Sequence, residues 1–296
     1  MNLWTRTCLP LVLFVAAALP AQTIAELEAR AAAGDAAAQF RLGVVYSMGR
    51  DVPLDLEKAA RWYRRAADRG DMNAQYNLGV AYHNGLGVHK DEAASLRWFR
   101  KAAESGNAEA EYAMGVAYET GRGIRAGKTQ ALLWFRKSAE TDGNWIAEIH
   151  LAEMYSNGTG TPKDDAEAMH WYAKAAQEGN AAAQCKLADG YLMGAGVAAD
   201  SAQAAQWYGK AAAQGEATAQ YQLGSMYQSG EGVARDFAEA FFWLKLAAAG
   251  QTEPARQEEI AEQRDAAASN LTGAVLAQTE ERVRKWSAVH GGATAQ

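Results

Sequence analysis

The chain has 296 residues, 49% of them hydrophobic and 22% charged, and a net charge of −6. That length suits one large domain, two smaller ones or an array of repeats, and the acidic balance lacks the basic footprint of a nucleic-acid binder. The two cysteines, Cys8 and Cys185, fall one before and one after the first apolar run, which excludes a disulfide framework in the remainder of the chain.

In chain order, residues 1–21 read as a cleaved signal peptide. Arg6 is followed by the apolar run LPLVLFVAAALPAQ, too short for a span and closed by small residues. The mature protein is expected to begin near Gln22 and to be periplasmic or secreted, with no membrane span. Residues 22–33, containing IAELEARAAA, are predicted to form an N-terminal capping helix.

From Gly34 to Gly250 the chain repeats itself. Copies begin at Gly34, Gly70, Gly106, Gly143, Gly179 and Gly215, spaced by 36 residues except for one interval of 37 at Thr141-Asp142. One column is tyrosine in all six copies, from Tyr46 to Tyr227, and another is tryptophan, from Trp62 to Trp243. Tyr63, Phe99, Phe135, Tyr172, Tyr208 and Leu244 follow those tryptophans. Each copy is predicted to form two helices. In the second copy, Ala74, Gln75, Leu78, Gly79 and Tyr82 keep helical spacing in the first, and Ser95, Trp98, Phe99 and Ala102 do so in the second. Asp55, Asp91, Asp164, Asp200 and Asp236 stand where a short carboxylate caps the second helix. Asp164 and Asp236 also have a Glu three residues on, the capping-box spacing. The tryptophan and tyrosine columns are expected to be core, and the column Arg65, Lys101, Lys137, Lys174, Lys210 a solvated stripe. Residues 251–287 are predicted to form one or two capping helices broken near Asn270 to Gly273, with Trp286 closing the last exposed face. Residues 288–296 read as a disordered tail.

The stretch TGRGIRAGKTQ, Thr120 to Gln130, imitates a phosphate-binding loop but fails its spacing: Gly121 is one residue too far from Gly127-Lys128 and Gly123 two too near. Its counterparts GLGVHKD, GTGTPKD, GAGVAAD and GEGVARD mark it as a turn between two helices. No catalytic elbow or metal-ligand spacing appears among His83, His89, His150, His170 and His290, and Cys185 on a helix face reads as packing. No catalytic residue, cofactor or metal is expected.

The pattern A-x-Q-Y-x-L-G-x-x-Y-x-x-G-x-G-V, then D, then A-x-x-W-Y/F-x-K-A-A, resembles the Sel1-like repeat family, relatives of the tetratricopeptide repeats. The resemblance covers Gly34 to Gly250. It departs at Asp51 in place of a loop glycine, at Ala152 and Ala188 in place of the helix glycine, and at Cys185 in place of an aromatic. It implies an all-α fold, a right-handed α-solenoid of six 36-residue helix-turn-helix repeats with capping helices, acting as a non-enzymatic scaffold for a protein or peptide. An assembly factor for envelope polysaccharide is one form such a scaffold could take. A cysteine-rich secreted branch of the family implies the alternative, a cell-wall or β-lactam-binding or hydrolysing protein, but its paired cysteines are missing here. By analogy with tetratricopeptide solenoids, the variable face of the first helices lines a groove. The expected partner contacts are Arg41, Asn73, Asn77, Asn84, Glu109, His150, Glu153, Asn157, Lys186 and Gln222, which lie opposite the recurring columns at 100° per residue.

Overall fold

A computed structural model describes residues 23–49, 51–250 and 254–290. The expected signal peptide lies outside them. The described residues form fifteen helices and no strand. Helix α1 spans Ile24–Ala32. The six repeats follow as pairs: α2 (Ala36–Met48) with α3 (Leu56–Ala67), α4 (Met72–Asn84) with α5 (Glu92–Glu104), α6 (Ala108–Thr120) with α7 (Lys128–Asp142), α8 (Trp145–Asn157) with α9 (Asp165–Gln177), α10 (Ala181–Met193) with α11 (Ser201–Ala213), and α12 (Ala217–Ser229) with α13 (Phe237–Gly250). Helices α14 (Pro254–Ala268) and α15 (Gly273–His290) close the series. Residues 288–290, expected in the tail, are the last turn of α15; residues 291–296 lie outside the described set.

The chain divides into two compact units after Ala147. In the first, α1 to α7 pack each on the next; in the second, α9 to α13 do the same. This nearest-neighbour packing is that of an α-solenoid. Helix α14 continues it against α13 and α12, but α15 turns back onto α13. Arg282 of α15 pairs with Glu239 at 2.7 Å and stacks over Phe242. Trp286 is half-buried, stacked on His290 and close to Gly215.

Caps set the helix limits. The five predicted aspartates all accept backbone N–H bonds from the first turn of a second helix, for example Asp91 from Ala94 at 2.9 Å and Asp236 from Ala238 at 2.8 Å. Gly127 replaces the aspartate in the third repeat and offers no side-chain cap. The first helices have caps of their own in Asp35, Asp71, Asn107, Asn180 and Glu216, and the complete capping box belongs to Thr23 and Glu26 at α1.

The core column is the residue after each tryptophan. Tyr63, Phe99, Phe135, Tyr172, Tyr208 and Leu244 are at most 5% exposed. In the four repeats whose first helix has a glycine they lie on it so closely that a methyl at Gly79 would sit 2.6 Å from the Phe99 ring, and one at Gly115 2.5 Å from Phe135. The tryptophans are less uniform than expected. Trp98 and Trp171 are buried, whereas Trp62, Trp134, Trp207 and Trp243 are half-buried. The tyrosines of the first-helix column are also half-buried, apart from Tyr155.

A buried glutamine ties each repeat to the helix before it. The side-chain amides of Gln39, Gln75, Gln184 and Gln220 donate to the carbonyls of Ala31, Ala67, Ala176 and Ala212 at 2.9–3.2 Å. Gln39 treats α1 as though it were a second helix, which is how the capping helix completes the first repeat. Two copies carry glutamate instead, which has no N–H to give. At Glu111 the structure compensates: Lys137 Nζ donates to the Ala103 carbonyl at 3.0 Å and pairs with the Glu111 carboxylate at 3.0 Å.

Glu148 is 2% exposed, and its Oε2 has no hydrogen-bond partner. Burial pushes its carboxyl from 4.5 up to about 7; Glu178 adds to the rise and Lys174 opposes it. A carboxyl raised on folding is compatible with the fold while protonated. Its contribution is complete below the ordinary value of 4.5 and is lost as pH rises through about 7. At about 1.4 kcal/mol per pKa unit the penalty at pH 8 is of order 3 kcal/mol. Glu148→Gln, which restores the usual residue of the column, is expected to raise the melting temperature at pH 8 and to change it little at pH 5. Equal shifts at the two pH values would show that Glu148 is charged in the fold at both.

Candidate interaction surfaces

The expected groove residues fall into three groups. Glu153, Asn157 and Lys186 are exposed. Arg41, Asn73, Asn84, Glu109, His150 and Gln222 are half-buried, with Asn73 accepting a bond from Asn107 at 3.2 Å. Asn77 is fully buried, beside the Tyr63 side chain of the preceding repeat, so it cannot contact a partner. Val80 and Val116, which at 100° per residue lie on the same side of their helices as Asn77 and Glu109, are also 0% exposed. A first helix is flanked by its own second helix and that of the preceding repeat, and α2 also touches α4. More than half of its circumference is therefore covered, more than a two-sided wheel allows. In the second unit the structure brings Lys186 within 3.9 Å of Asp189 on α10, one turn from the exposed Met193. The face of α12 is partly taken by α14: Ser225 donates to Gln263 at 2.9 Å and Tyr221 to Glu259 at 2.7 Å.

The second helices carry a more ordered array. Each basic residue of the expected stripe lies over the tryptophan three positions before it: Arg65 on Trp62, Lys101 on Trp98, Lys137 on Trp134, Lys174 on Trp171 and Lys210 on Trp207, at 3.7–5.3 Å from the ring centre. A cation over an aromatic face is favourable, and the alkyl stem shields the ring from water. These side chains are therefore lids on the tryptophans as well as surface charge.

Arg64 extends the pattern between two repeats. Its guanidinium lies over both Tyr82 and Trp98, at 5.6 and 5.2 Å, and Nη2 donates to the Tyr82 hydroxyl. It lines two adjoining open clefts. One, of about 380 Å³, is bounded by Glu57, Arg61, Arg64, Arg65 and the loop at Gly87-Val88. The other, of about 350 Å³, is bounded by Arg64, Tyr82, Asp91, Arg97, Trp98 and Lys101.

Three other places have the residue types of a reactive site. His83 pairs through Nδ1 with Glu92 at 2.9 Å, and Arg122 lies 3.4 Å from its other ring nitrogen. Sequence spacing missed this contact because it closes across the inter-helix loop and between repeats. Its cavity is about 10 Å³, and the nearby Ser95 hydroxyl donates to the Gly79 carbonyl, so the pair has neither room for a substrate nor an activated serine. Cys185 is buried, and burial pushes its thiol up to about 12, far from the thiolate that reacts. In the phosphate-loop look-alike, Gly121 and Gly123 adopt φ of 72° and 67° as turn residues, and Lys128 Nζ donates to the Glu119 carbonyl at 3.2 Å. A helix ends there and another begins, without the strand that a phosphate cradle requires. Among the described residues, no group of His, Cys, Asp or Glu is placed to hold a metal ion, and no helix is long and apolar enough to cross a membrane.

A family model of the Sel1 repeat matches six segments, residues 36–71, 73–107, 108–140, 145–180, 181–216 and 217–251. The chain belongs to the Sel1 repeat family. Two solved structures share the fold. One is c5321, a protective antigen present in uropathogenic Escherichia coli strains, with 32% identity and a TM-score of 0.74. The likeness covers 83% of this chain and 56% of that one, so the chain spans little more than half of its length. The other is a Sel1 repeat protein from Oxalobacter formigenes, with 32% identity, a TM-score of 0.62, and coverage of 78% of this chain and 91% of that one. Comparison with curated proteins found no match. As in other Sel1 repeat proteins, the six units supply a repeated packing scaffold, and the family commonly mediates protein interactions.

Proposed function

We propose that this Sel1 repeat protein is an exported, non-enzymatic scaffold that binds a protein or peptide in a bacterial-type envelope or outside the cell. The observation that carries this reading is a contrast within the repeat. The buried position after each tryptophan is aromatic in five of the six copies, while the last position of the first helix, half-buried or exposed in every copy, reads Met48, Asn84, Thr120, Asn157, Met193 and Ser229. Packing demands the uniformity; nothing in packing demands the variation, which is what a surface fitted to a particular partner displays. Export is supported by the sequence of residues 1–21, and the description of c5321 as a protective antigen agrees with it.

The test is to express the whole chain in a Gram-negative host, weigh the exported protein and use it to capture partners from envelope extract. The expected mass is that of a chain starting near Gln22. Glu153→Lys with Lys186→Glu should weaken the captured partner more than tenfold with an unchanged melting temperature, because interface hot spots cost at least about 2 kcal/mol. Both side chains are exposed, so the fold has little at stake. Retention of residues 1–21 would remove export from the reading, and a saturable partner indifferent to both changes would remove the first-helix face.

A further inference from the structure

We propose that the second-helix face of the first two repeats docks an extended acidic peptide, with Arg61, Arg64, Arg97 and Lys101 receiving its carboxylates. The inference rests on the scaffold reading and assigns a surface and a partner chemistry to it.

Charge is the first observation. The whole chain is at −6, yet α3 carries Lys58, Arg61, Arg64 and Arg65 against the single acid Glu57. Helix α5 adds Arg97, Arg100 and Lys101 against Glu92 and Glu104. Helix α7 carries Lys128, Arg136 and Lys137 against Glu140 and Asp142, and α11 has only Lys210. The cationic excess is thus largest on α3, where it coincides with the two clefts of about 380 and 350 Å³. Each is near the lower end of ligand-site volumes, and they lie side by side along the direction in which the repeats stack.

Pre-organisation is the second. Arg64 forms the wall common to both clefts, held in place by the Tyr82 and Trp98 rings. Nη2 donates to the Tyr82 hydroxyl and Nε is buried, which fixes the plane of the guanidinium. A guanidinium has five N–H donors in a fixed fork that matches a carboxylate. Immobilising it before a ligand arrives reduces the ordering cost of binding. Arg61 and Arg97 occupy the same register one repeat apart and are exposed, so successive acidic side chains of an extended strand can meet them in turn.

The acids in the clefts select among anions. Glu57 lines the first cleft and Asp91 the second. A peptide has backbone N–H groups to offer those carboxylates, whereas a nucleic-acid backbone meets them with phosphates alone. A peptide with alternating donors and carboxylates therefore matches this lining better than a polyphosphate does.

The experiment is fluorescence anisotropy of the full chain with three end-labelled probes: deca-glutamate, deca-lysine and a twenty-nucleotide oligothymidine. Deca-glutamate is expected to bind saturably and to weaken with salt. Arg61→Glu with Arg97→Glu should reduce its affinity at least tenfold without moving the melting temperature. Arg64→Lys, which keeps the charge but loses the planar fork, should reduce it severalfold. Reversing Arg284 and Lys285 on α15 should leave it unchanged. The proposal is overturned if deca-glutamate fails to bind, if oligothymidine binds as tightly, or if the α15 reversal is as damaging as the cleft reversal. A captured envelope partner that still binds the Arg61→Glu, Arg97→Glu chain would leave the scaffold reading standing and remove this surface from it.

Discussion

Phe135→Ala is expected to lower the stability of the chain by about 3–5 kcal/mol, the usual result of emptying a buried aromatic site, while Trp134→Ala, one residue away, costs clearly less. Phe135 is 0% exposed. Its ring lies against Gly115, where no side chain could yield to fill the space, and packs with Tyr112 at 5.6 Å between ring centres. Trp134 is half-buried beneath Lys137, so its removal leaves a surface dent that the lysine stem and water can occupy. In a solenoid each unit is stabilised by its neighbours, and the loss at Phe135 should spread to the adjoining repeats. Urea unfolding of the two variants, with hydrogen exchange read along α4 to α7, measures both the size and the spread. A Trp134→Ala loss equal to or above that of Phe135→Ala would return the tryptophan column to the core.

The confusion of those two columns shows what repetition in one sequence can convey. Tryptophan recurs as faithfully as the residue after it, and recurrence reports that a position has the same role in every copy, not how deep it lies. The discriminating signal was present in the basic residue three places on, because a helix puts positions i and i+3 on one face and a lysine beside a ring marks its outer edge. The repeat count, the two helices per repeat and the second-helix caps were all legible, since each depends on local spacing that six copies print in parallel. The break near Asn270 to Gly273 was legible too, but the return of α15 onto α13 was not: its side chains have no counterpart in the repeats from which to read a direction.

The candidate surface was less legible, for a related reason. Asn77 was assigned to the groove because asparagine is polar and its column varies. Its place is set by Tyr63 of the preceding repeat, which it is buried beside and whose hydroxyl bonds Ser47 at 3.0 Å. The following two copies carry Phe99 and Phe135, which have no hydroxyl, and the position after each has no such duty. Variation in a column can therefore come from a private buried contact as well as from partner choice. The clefts at Arg64 were hidden in the same way. They depend on a tyrosine and a tryptophan of one repeat enclosing an arginine of another, and only the packed structure places them together.

The loop glycines give the second large effect. Gly87→Ala is expected to cost about 2–5 kcal/mol and Gly70→Ala only about 1–2, although both residues have positive φ, 67° and 89°. The left-handed backbone alone costs a non-glycine residue roughly 1–2 kcal/mol, and that part is common to the two. At Gly70 a methyl would meet nothing within 4 Å. At Gly87 it would lie 2.0 Å from the Leu56 carbonyl oxygen and 2.2 Å from its carbon, backbone atoms at the start of α3 that cannot swing aside. Gly196 stands in the same relation to Asp165, and Gly232 to Ser201, at 2.0 and 2.1 Å. At Gly87, Gly196 and Gly232 the second glycine of the loop is thus the point where one repeat seats on the next, and a side chain there must push the repeats apart, at the further 1–3 kcal/mol typical of overpacking; at Gly123 a methyl would meet only the tip of the Leu96 side chain, at 2.8 Å. In the first repeat Asp51 holds the position, with φ of 62°. Thermal melts of Gly87→Ala and Gly70→Ala settle the matter: equal losses would mean that backbone conformation alone demands these glycines, and a larger loss at Gly87, with early hydrogen exchange at the start of α3, would locate the demand in the junction between repeats.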